Sequence, residues 1–325
     1  MKPKIFVTRA MPHEILAIMR AECEVNIWPH DEPAVPRDAL LREVRDANGI
    51  FALITEKIDA EVMEAAPFLK VVSNMAVGFD NIAIKEATRR KIPVGNTPGV
   101  LTEATADLAF TLMLAAARRL GEAVNYIREG RWQTWVPFEL TGMDLHGKTL
   151  GLIGMGRIGA AVARRARGFD MRVLYHNRKR QPETEAETGA QYVSLEELLA
   201  QSDFVSIHTP LNEETRHFIN AERLRRMKPT AMLINTARGG TVDPQALYDA
   251  LKNGVIAYAA LDVTEPEPIP LDYPLLSLPN CLIIPHLGSA TRSTRLKMAT
   301  MAAQNVVAGV QGRRLPNCVN PEVYE

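Results

Sequence analysis

The chain has 325 residues, with 38 Lys and Arg against 38 Asp and Glu, so its formal net charge is zero. That balance excludes a nucleic-acid binder working by bulk positive charge. The 46% hydrophobic and 23% charged content excludes disordered, collagen-like and fibrous classes. At ~150 residues per domain, the length implies two domains, each able to bury a core without staples.

Short runs rich in β-branched residues alternate with helical patterns along the chain. Ile5-Phe6-Val7 is followed by a helical stretch from Pro12 to Ala21. Val25 to Trp28 leads to a helix after Pro36, which Asn48-Gly49 closes. Ile50 to Ile54 precedes a helix over 59–65 that Asp59 can cap. Val71-Val72 precedes a helix opening at Asp80, and Ile92-Pro93-Val94 follows. A long helix begins near Thr102 and runs to about Leu120, apolar on all sides and therefore buried. The segment from Gly130 to Gly142 is aromatic and turn-rich, with Trp132 and Trp135.

The alternation restarts at Lys148, with strands expected over 149–153, 171–176, 203–208, 230–235, 256–262 and 281–285. Ser194 to Glu197 reads as a capping box. Asp243-Pro244 opens another helix that Gly254 closes, and a last helix runs from about Thr291 to Val310. Strand and helix alternating at this spacing implies βαβ units and parallel sheets.

Cys23, Cys281 and Cys318 are too few and scattered for a disulfide framework, and none forms a C-x-x-C pair, so no metal site is expected. A reducing, cytoplasmic setting is the simplest reading. The first residues lack the ~7–15-residue apolar region of a signal peptide. No run approaches the ~18 apolar residues of a membrane span, so no membrane partner is expected.

Gly154-Met155-Gly156-Arg157-Ile158-Gly159 follows the apolar run 150–153 and opens a helical pattern. In that order, the first Gly makes a tight turn and the second admits a pyrophosphate. The third allows helix to pack on strand, and the helix N-terminus favours the phosphate charge. Dinucleotide binding is the reading; the alternative is a structural turn. The next strand ends in His176-Asn177-Arg178-Lys179-Arg180, about twenty residues on, where an NAD enzyme normally has an acid for the ribose 2′-hydroxyl. With Asn177 there and no carboxylate to repel a 2′-phosphate, Arg178 and its neighbours favour NADP(H), with NAD(H) also possible.

Three strand ends carry polar residues suited to a dehydrogenase. They are Arg238 after Asn235-Thr236-Ala237, the acids Glu265 and Glu267 after Asp262, and His286 before Leu287-Gly288-Ser289. An Arg fork binds a carboxylate at two points. A His is the natural acid–base group near neutrality, and an adjacent carboxylate favours its charged form. His13, His30 and His146 read as surface residues; His176 and His208 sit at strand ends and could line a cofactor crevice.

These segments, with Val77 to Ile82, Thr102 to Ala109, His208 to Leu211 and Gly130 to Trp135, resemble the D-isomer-specific 2-hydroxyacid dehydrogenase family over nearly the whole chain. Within it, the glyoxylate/hydroxypyruvate reductases are the most similar. The resemblance implies two doubly wound parallel-sheet α/β domains with the active site in a cleft between them. Residues 1–98 and 291–325 would form a flavodoxin-like substrate domain, and 99–290 a Rossmann cofactor domain. It implies that Arg238 binds the substrate carboxylate and keto oxygen, and that His286, paired with Glu267, protonates the keto oxygen. Val77 and Gly78 would hold the other carboxylate oxygen, and Trp135 would reach across a homodimer interface toward the neighbouring site. Cofactor contacts would come from Thr105, Gly154, Gly156, Arg157, Ile158, Gly159, Asn177, Arg178, Lys179, Thr209, Pro210, Thr215, Thr236, Ala237, Asp262 and Gly288. The implied reaction is reduction of a small 2-oxo acid by NADPH. The alternatives are 2-ketogluconate reductase, 3-phosphoglycerate dehydrogenase, or a dinucleotide-sensing interaction protein of the same fold.

Overall fold

The computed structural model describes residues 2–325. It divides into two compact units, Met1–Leu101 with Thr291–Glu325, and Thr102–Ala290.

The elements before the first division are β1 (Lys4–Val7), α1 (His13–Arg20), β2 (Glu24–Ile27), α2 (Arg37–Glu43), β3 (Gly49–Ala52) and α3 (Ala60–Ala65). After them come β4 (Val71–Asn74), α4 (Ile84–Arg89) and β5 (Val94–Gly95). The second unit holds α5 (Thr102–Ala117), α6 (Leu120–Arg128), β6 (Thr149–Ile153), α7 (Arg157–Ala166), β7 (Arg172–His176) and α8 (Pro182–Thr188). It continues with β8 (Gln191–Tyr192), α9 (Leu195–Gln201), β9 (Phe204–Ile207), α10 (Ala221–Arg226), β10 (Met232–Asn235), α11 (Pro244–Lys252), β11 (Tyr258–Leu261) and β12 (Cys281–Ile283). The last helix, α12 (Arg292–Val310), returns to the first unit.

In the first unit the strands pair in the order β2-β1-β3-β4-β5, all parallel. That is the flavodoxin order. β3 and β4 are buried throughout, as a parallel sheet covered on both faces requires. α12 lies directly on these strands, and glycine makes the approach possible. A Cβ on Gly49 would stand 2.7 Å from Val310 Cγ1, and one on Gly309 would collide with the Val71 side chain. Gly49 therefore opens β3 under α12 instead of closing the preceding helix, which stops at Glu43. The helix expected at Asp80 starts at Ile84. Residues 81–83 are drawn into a bridge to Ile58, whose amide donates to Asn81 O while Ala83 N donates to Ile58 O, each at 2.9 Å. Asp59 caps α3 as expected, accepting from Val62 N.

The second unit has the parallel order β12-β11-β10-β9-β6-β7-β8, a Rossmann sheet extended by one strand. The long helix expected to run to about Leu120 stops at Ala117. Arg119 takes a left-handed backbone (φ +52°), and α6 starts at Leu120 with no buried residue. The capping box at Ser194 and Glu197 forms in both directions, and Asp243 accepts from the amides of Gln245 and Ala246 at the head of α11. Among the described residues, no helix is long and apolar enough to cross a membrane.

Gly309→Val should lower the unfolding free energy by about 1–3 kcal/mol, the usual cost of overpacking. A denaturant titration checks it, and an unchanged midpoint would show that α12 can lift off the sheet freely.

Candidate active site

β6 is flanked by β7 and β9, so the chain reverses its winding direction at the carboxyl end of β6. Ligands of open α/β sheets bind at such a point. Gly154 sits there with φ +102°; its amide donates to His176 O at 2.9 Å, and its α-carbon faces the His208 carbonyl, 2.8 Å from where a Cβ would stand. A Cβ on Gly159 would collide with Gly154 O, so loop and helix touch backbone to backbone. Gly156 meets nothing within 4 Å of its missing Cβ. Arg157 and Ile158 form the first turn of α7, which carries no acid there, so the helix end is free to favour a phosphate. Tight glycines on either side of an open one fit a dinucleotide pyrophosphate.

Other expected cofactor contacts border this loop. Thr209 Cγ2 stands 3.1 Å from the Gly154 Cβ position. Thr215 hydroxyl donates to Pro210 O at 2.6 Å and accepts from Asn212 N at 2.8 Å, stapling the loop after β9. Thr236 hydroxyl is buried with no partner, which suits a ligand that supplies one, and Ala237 N is held by Asn235 Oδ1. Thr105, buried on α5, lies 3.5 Å from the Gly288 Cβ position. His208 bonds Ser206 Oγ at 2.9 Å, and burial pushes its imidazole down to about 4.

At the end of β7 the basic run is divided. Asn177 carries its side-chain amide to Lys179 O, and its carbonyl accepts from Tyr192 OH. Arg180 is committed to Glu185, which also accepts from Tyr175 OH at 2.6 Å. Those two partners hold the Glu185 carboxyl at about 2. Arg178 and Lys179 stay exposed. Arg178 Nη1 is 3.7 Å from Glu214 Oε2, so a carboxylate does reach this corner, delivered by the loop after β9. A scan of the β7 end alone does not meet it.

The segments after β10, β11 and β12 carry the residues expected to do acid–base chemistry and bind substrate. Arg238 stands three residues past the end of β10, and its carbonyl accepts from Asn235 Nδ2 at 2.9 Å and Thr241 Oγ1 at 2.7 Å, so its backbone is fixed. Its guanidinium donates to Ala237 O. The next residue must be glycine, because a Cβ on Gly239 would collide with the Thr264 carbonyl of the neighbouring loop. Glu267, at the end of that loop, bonds His286 Nδ1 through Oε1 at 2.5 Å. Glu265 turns away from His286 to Arg216 and His217.

His286 is in the left-handed region (φ +54°), a position costly for a residue with a Cβ. Asp262 holds it there. Its carbonyl accepts from His286 N at 2.9 Å, and its carboxylate from Leu287 N at 2.5 Å and Gly288 N at 2.8 Å. Burial raises the Asp262 carboxyl above its usual range, against the opposing pull of those amides and the His286 ring. A carboxylate has about four lone-pair sites and two amides use only two of them, which leaves room for a nicotinamide amide.

Val77 and Gly78 belong to the first unit, in the turn after β4. Their carbonyls accept from Asn96 Nδ2 and Asn74 Nδ2, each at 2.9 Å, and their amides have no partner among the described residues. Trp135 is 76% exposed on the segment after α6. Among the described residues, no group of three or more His, Cys, Asp or Glu is placed to hold a metal. Sequence reading passed over His217, Arg216 and Glu214, whose partners are far away in the chain.

A crossing-over dinucleotide loop beside an Arg, a Glu–His pair and a buried Asp defines a nicotinamide-dependent dehydrogenase. Residues 110–288 match the family model described as D-isomer specific 2-hydroxyacid dehydrogenase, NAD binding domain. A glyoxylate reductase of Korarchaeum cryptofilum is 54% identical over 100% of this chain and 98% of its own length; one of Thermococcus kodakarensis is 52% identical with the same coverage. An NADPH-dependent glyoxylate/hydroxypyruvate reductase of Sinorhizobium meliloti, solved with NADP and malonate, superposes with a TM-score of 0.87 at 34% identity, over 99% of this chain and 98% of that one. The chain belongs to the D-isomer-specific 2-hydroxyacid dehydrogenase family. It is an NAD(P)-dependent enzyme of that family, acting on 2-oxo acids.

Gly156→Val should leave the melting temperature near wild type, because its side chain meets no protein atom, yet weaken dinucleotide binding at least about tenfold by filling the phosphate space. Fluorescence titration with NADPH reads this; undiminished binding would place the pyrophosphate elsewhere. The folded state keeps His208 neutral, whereas the unfolded chain takes up its proton near 6.5. The stability from that group is therefore full above 6.5 and is lost as pH falls toward about 4, a loss on the order of 1–3 kcal/mol. Unfolding titrations across that window should show a smaller acid loss for His208→Gln than for the wild type.

Proposed function

We propose that the enzyme reduces small 2-oxo acids, with glyoxylate and hydroxypyruvate as substrates and NADPH as the preferred reductant, to D-2-hydroxy acids. The observation that carries this reading is the Glu267–His286 pair, which joins the loop after β11 to the turn after β12, the β11 loop being packed against the one that carries Arg238. The Arg238 fork takes the substrate carboxylate and keto oxygen. Nδ1 of His286 is committed to Glu267, so Nε2 is the nitrogen that gives a proton to the keto oxygen. A bound nicotinamide supplies the hydride. Glu267 keeps the imidazole oriented through the proton's departure, and Asp262 keeps its backbone in place.

The cofactor preference rests on Asn177 in place of an acid and on the exposed Arg178 and Lys179. Names of the curated relatives and the NADP bound to the Sinorhizobium meliloti enzyme support the substrate and cofactor classes. The enzyme also works as a homodimer in this reading. Leu120, Val124 and Ile127 on α6, and Trp132, Trp135, Val136 and Phe138 after it, form an exposed apolar run of the kind that a second copy would cover.

The decisive experiment measures kcat/KM for a panel of 2-oxo acids with NADPH and with NADH. Glyoxylate and hydroxypyruvate should lead with NADPH. Preference for a longer sugar acid, or for a phosphorylated substrate with NADH, would overturn the assignment. Arg178→Ala should weaken NADPH by roughly ten- to a hundredfold, the loss of one charge-assisted contact, and leave NADH within about threefold. Equal losses would show that Arg178 does not read the 2′-phosphate.

A further inference from the structure

Glu265 stands two residues before Glu267 on the loop after β11, and the pairing of Glu267 with His286 leaves it without a role in the chemistry. Its carboxylate is nonetheless fully engaged. Arg216 Nη2 donates to Oε1 at 2.6 Å, and His217 Nε2 bonds Oε2 at 2.7 Å. Tyr273 OH donates to the carbonyl of the same residue at 2.8 Å. Both partners sit on the loop after β9. That loop is bound in turn to the one after β10: His217 N donates to Gly240 O at 2.8 Å, and Ile219 N to Thr241 O at 3.0 Å. Gly239 closes the triangle by its backbone contact with Thr264.

Three loops from three strands thus meet at one carboxylate. One of them carries Arg238, and another carries Glu267. His217 has φ +48°, a backbone conformation that a residue with a Cβ holds only when its surroundings impose it. Partial burial alone would raise the Glu265 carboxyl, but the hydrogen bonds from His217 and Arg216 outweigh it and keep the group below its usual range. It is therefore charged at neutrality, as a two-armed clamp needs.

We propose that Glu265, through Arg216 and His217, is a positioning residue that fixes the Glu267 loop against the Arg238 loop. It thereby sets the reach between the group that orients the proton donor and the group that binds the substrate carboxylate. This rests on the roles proposed above for Arg238, Glu267 and His286. The demand on such a clamp is severe, because a misplacement of about 1 Å at reacting groups can cost on the order of a hundredfold in rate.

The test is a double-mutant cycle on the full-length enzyme, with glyoxylate and NADPH as the probes. Glu265→Ala should lower kcat roughly ten- to a hundredfold, with the NADPH dissociation constant and melting temperature near wild type. In a Glu267→Gln background the same change should cost little further, because its effect passes through Glu267. Arg216→Ala removes one arm from an exposed position and should show the same pattern at smaller size, whatever the folding yield of Glu265→Ala. Losses that multiply across the cycle, or a Glu265→Ala enzyme with wild-type kcat, would overturn the clamp alone if Glu267→Gln is impaired. A fully active Glu267→Gln would overturn the assigned role of Glu267, and the clamp with it.

Discussion

Asp262 is a carboxylate kept in the interior, 1% exposed, at the end of β11. Its amide donates to Asn235 O at the end of β10, and its carbonyl and side chain accept three successive amides, from His286 to Gly288. One residue thus joins the ends of β10 and β11 to the turn that carries the histidine. The left-handed backbone of His286 would relax without those bonds, since a non-glycine residue there is strained by about 1–3 kcal/mol. Burying an anion is costly, and here the cost is offset by satisfying its oxygens with backbone donors. Gly288 belongs to the same arrangement, because its Cβ position lies 3.1 Å from Asp262 Oδ2.

Both sheets follow one physical rule. Parallel strands deliver their connecting loops to the carboxyl edge, and functional groups collect where those loops crowd. Crowding is relieved by glycine at the closest approaches. Gly159 against Gly154, and Gly239 against Thr264, bring backbone to backbone in the second unit. Gly49 and Gly309 let α12 lie on the first sheet. The carbons omitted at these points set the distances between loops, and so between the side chains those loops carry.

Charge is organised locally in a chain with no net charge. Three bases follow β7, but Glu185 takes Arg180 and Glu214 approaches Arg178, leaving Lys179 without an acidic partner among the described residues. Glu265 and Glu267 differ by two positions and serve different partners, because their loop turns between them. The bulk balance says nothing about such corners. A 2′-phosphate or a carboxylate would meet individual guanidinium groups, whose fork geometry matters more than total charge.

The sequence by itself determined the alternation of strands and helices, the two α/β blocks, the caps at Asp59, Ser194 and Asp243, and the glycine loop on its strand–helix junction. These are local matters: periodicity, capping chemistry and backbone freedom act over a few residues. It also placed Arg238, Glu267 and His286 after strands, since apolar runs end visibly. What only the tertiary structure decided was partnership. Asn48-Gly49 reads as a helix stop until Val306 and Val310 of α12, far along the chain, are seen above it. Where the long helix ends, and that Leu120, Val124 and Ile127 beyond it lie exposed, is settled by the left-handed turn at Arg119. Whether Glu265 or Glu267 faces His286 depends on a loop anchored by Arg216 and His217, about fifty residues upstream of Glu265. Such pairings depend on strand order and loop packing, which bring together residues that no local pattern relates.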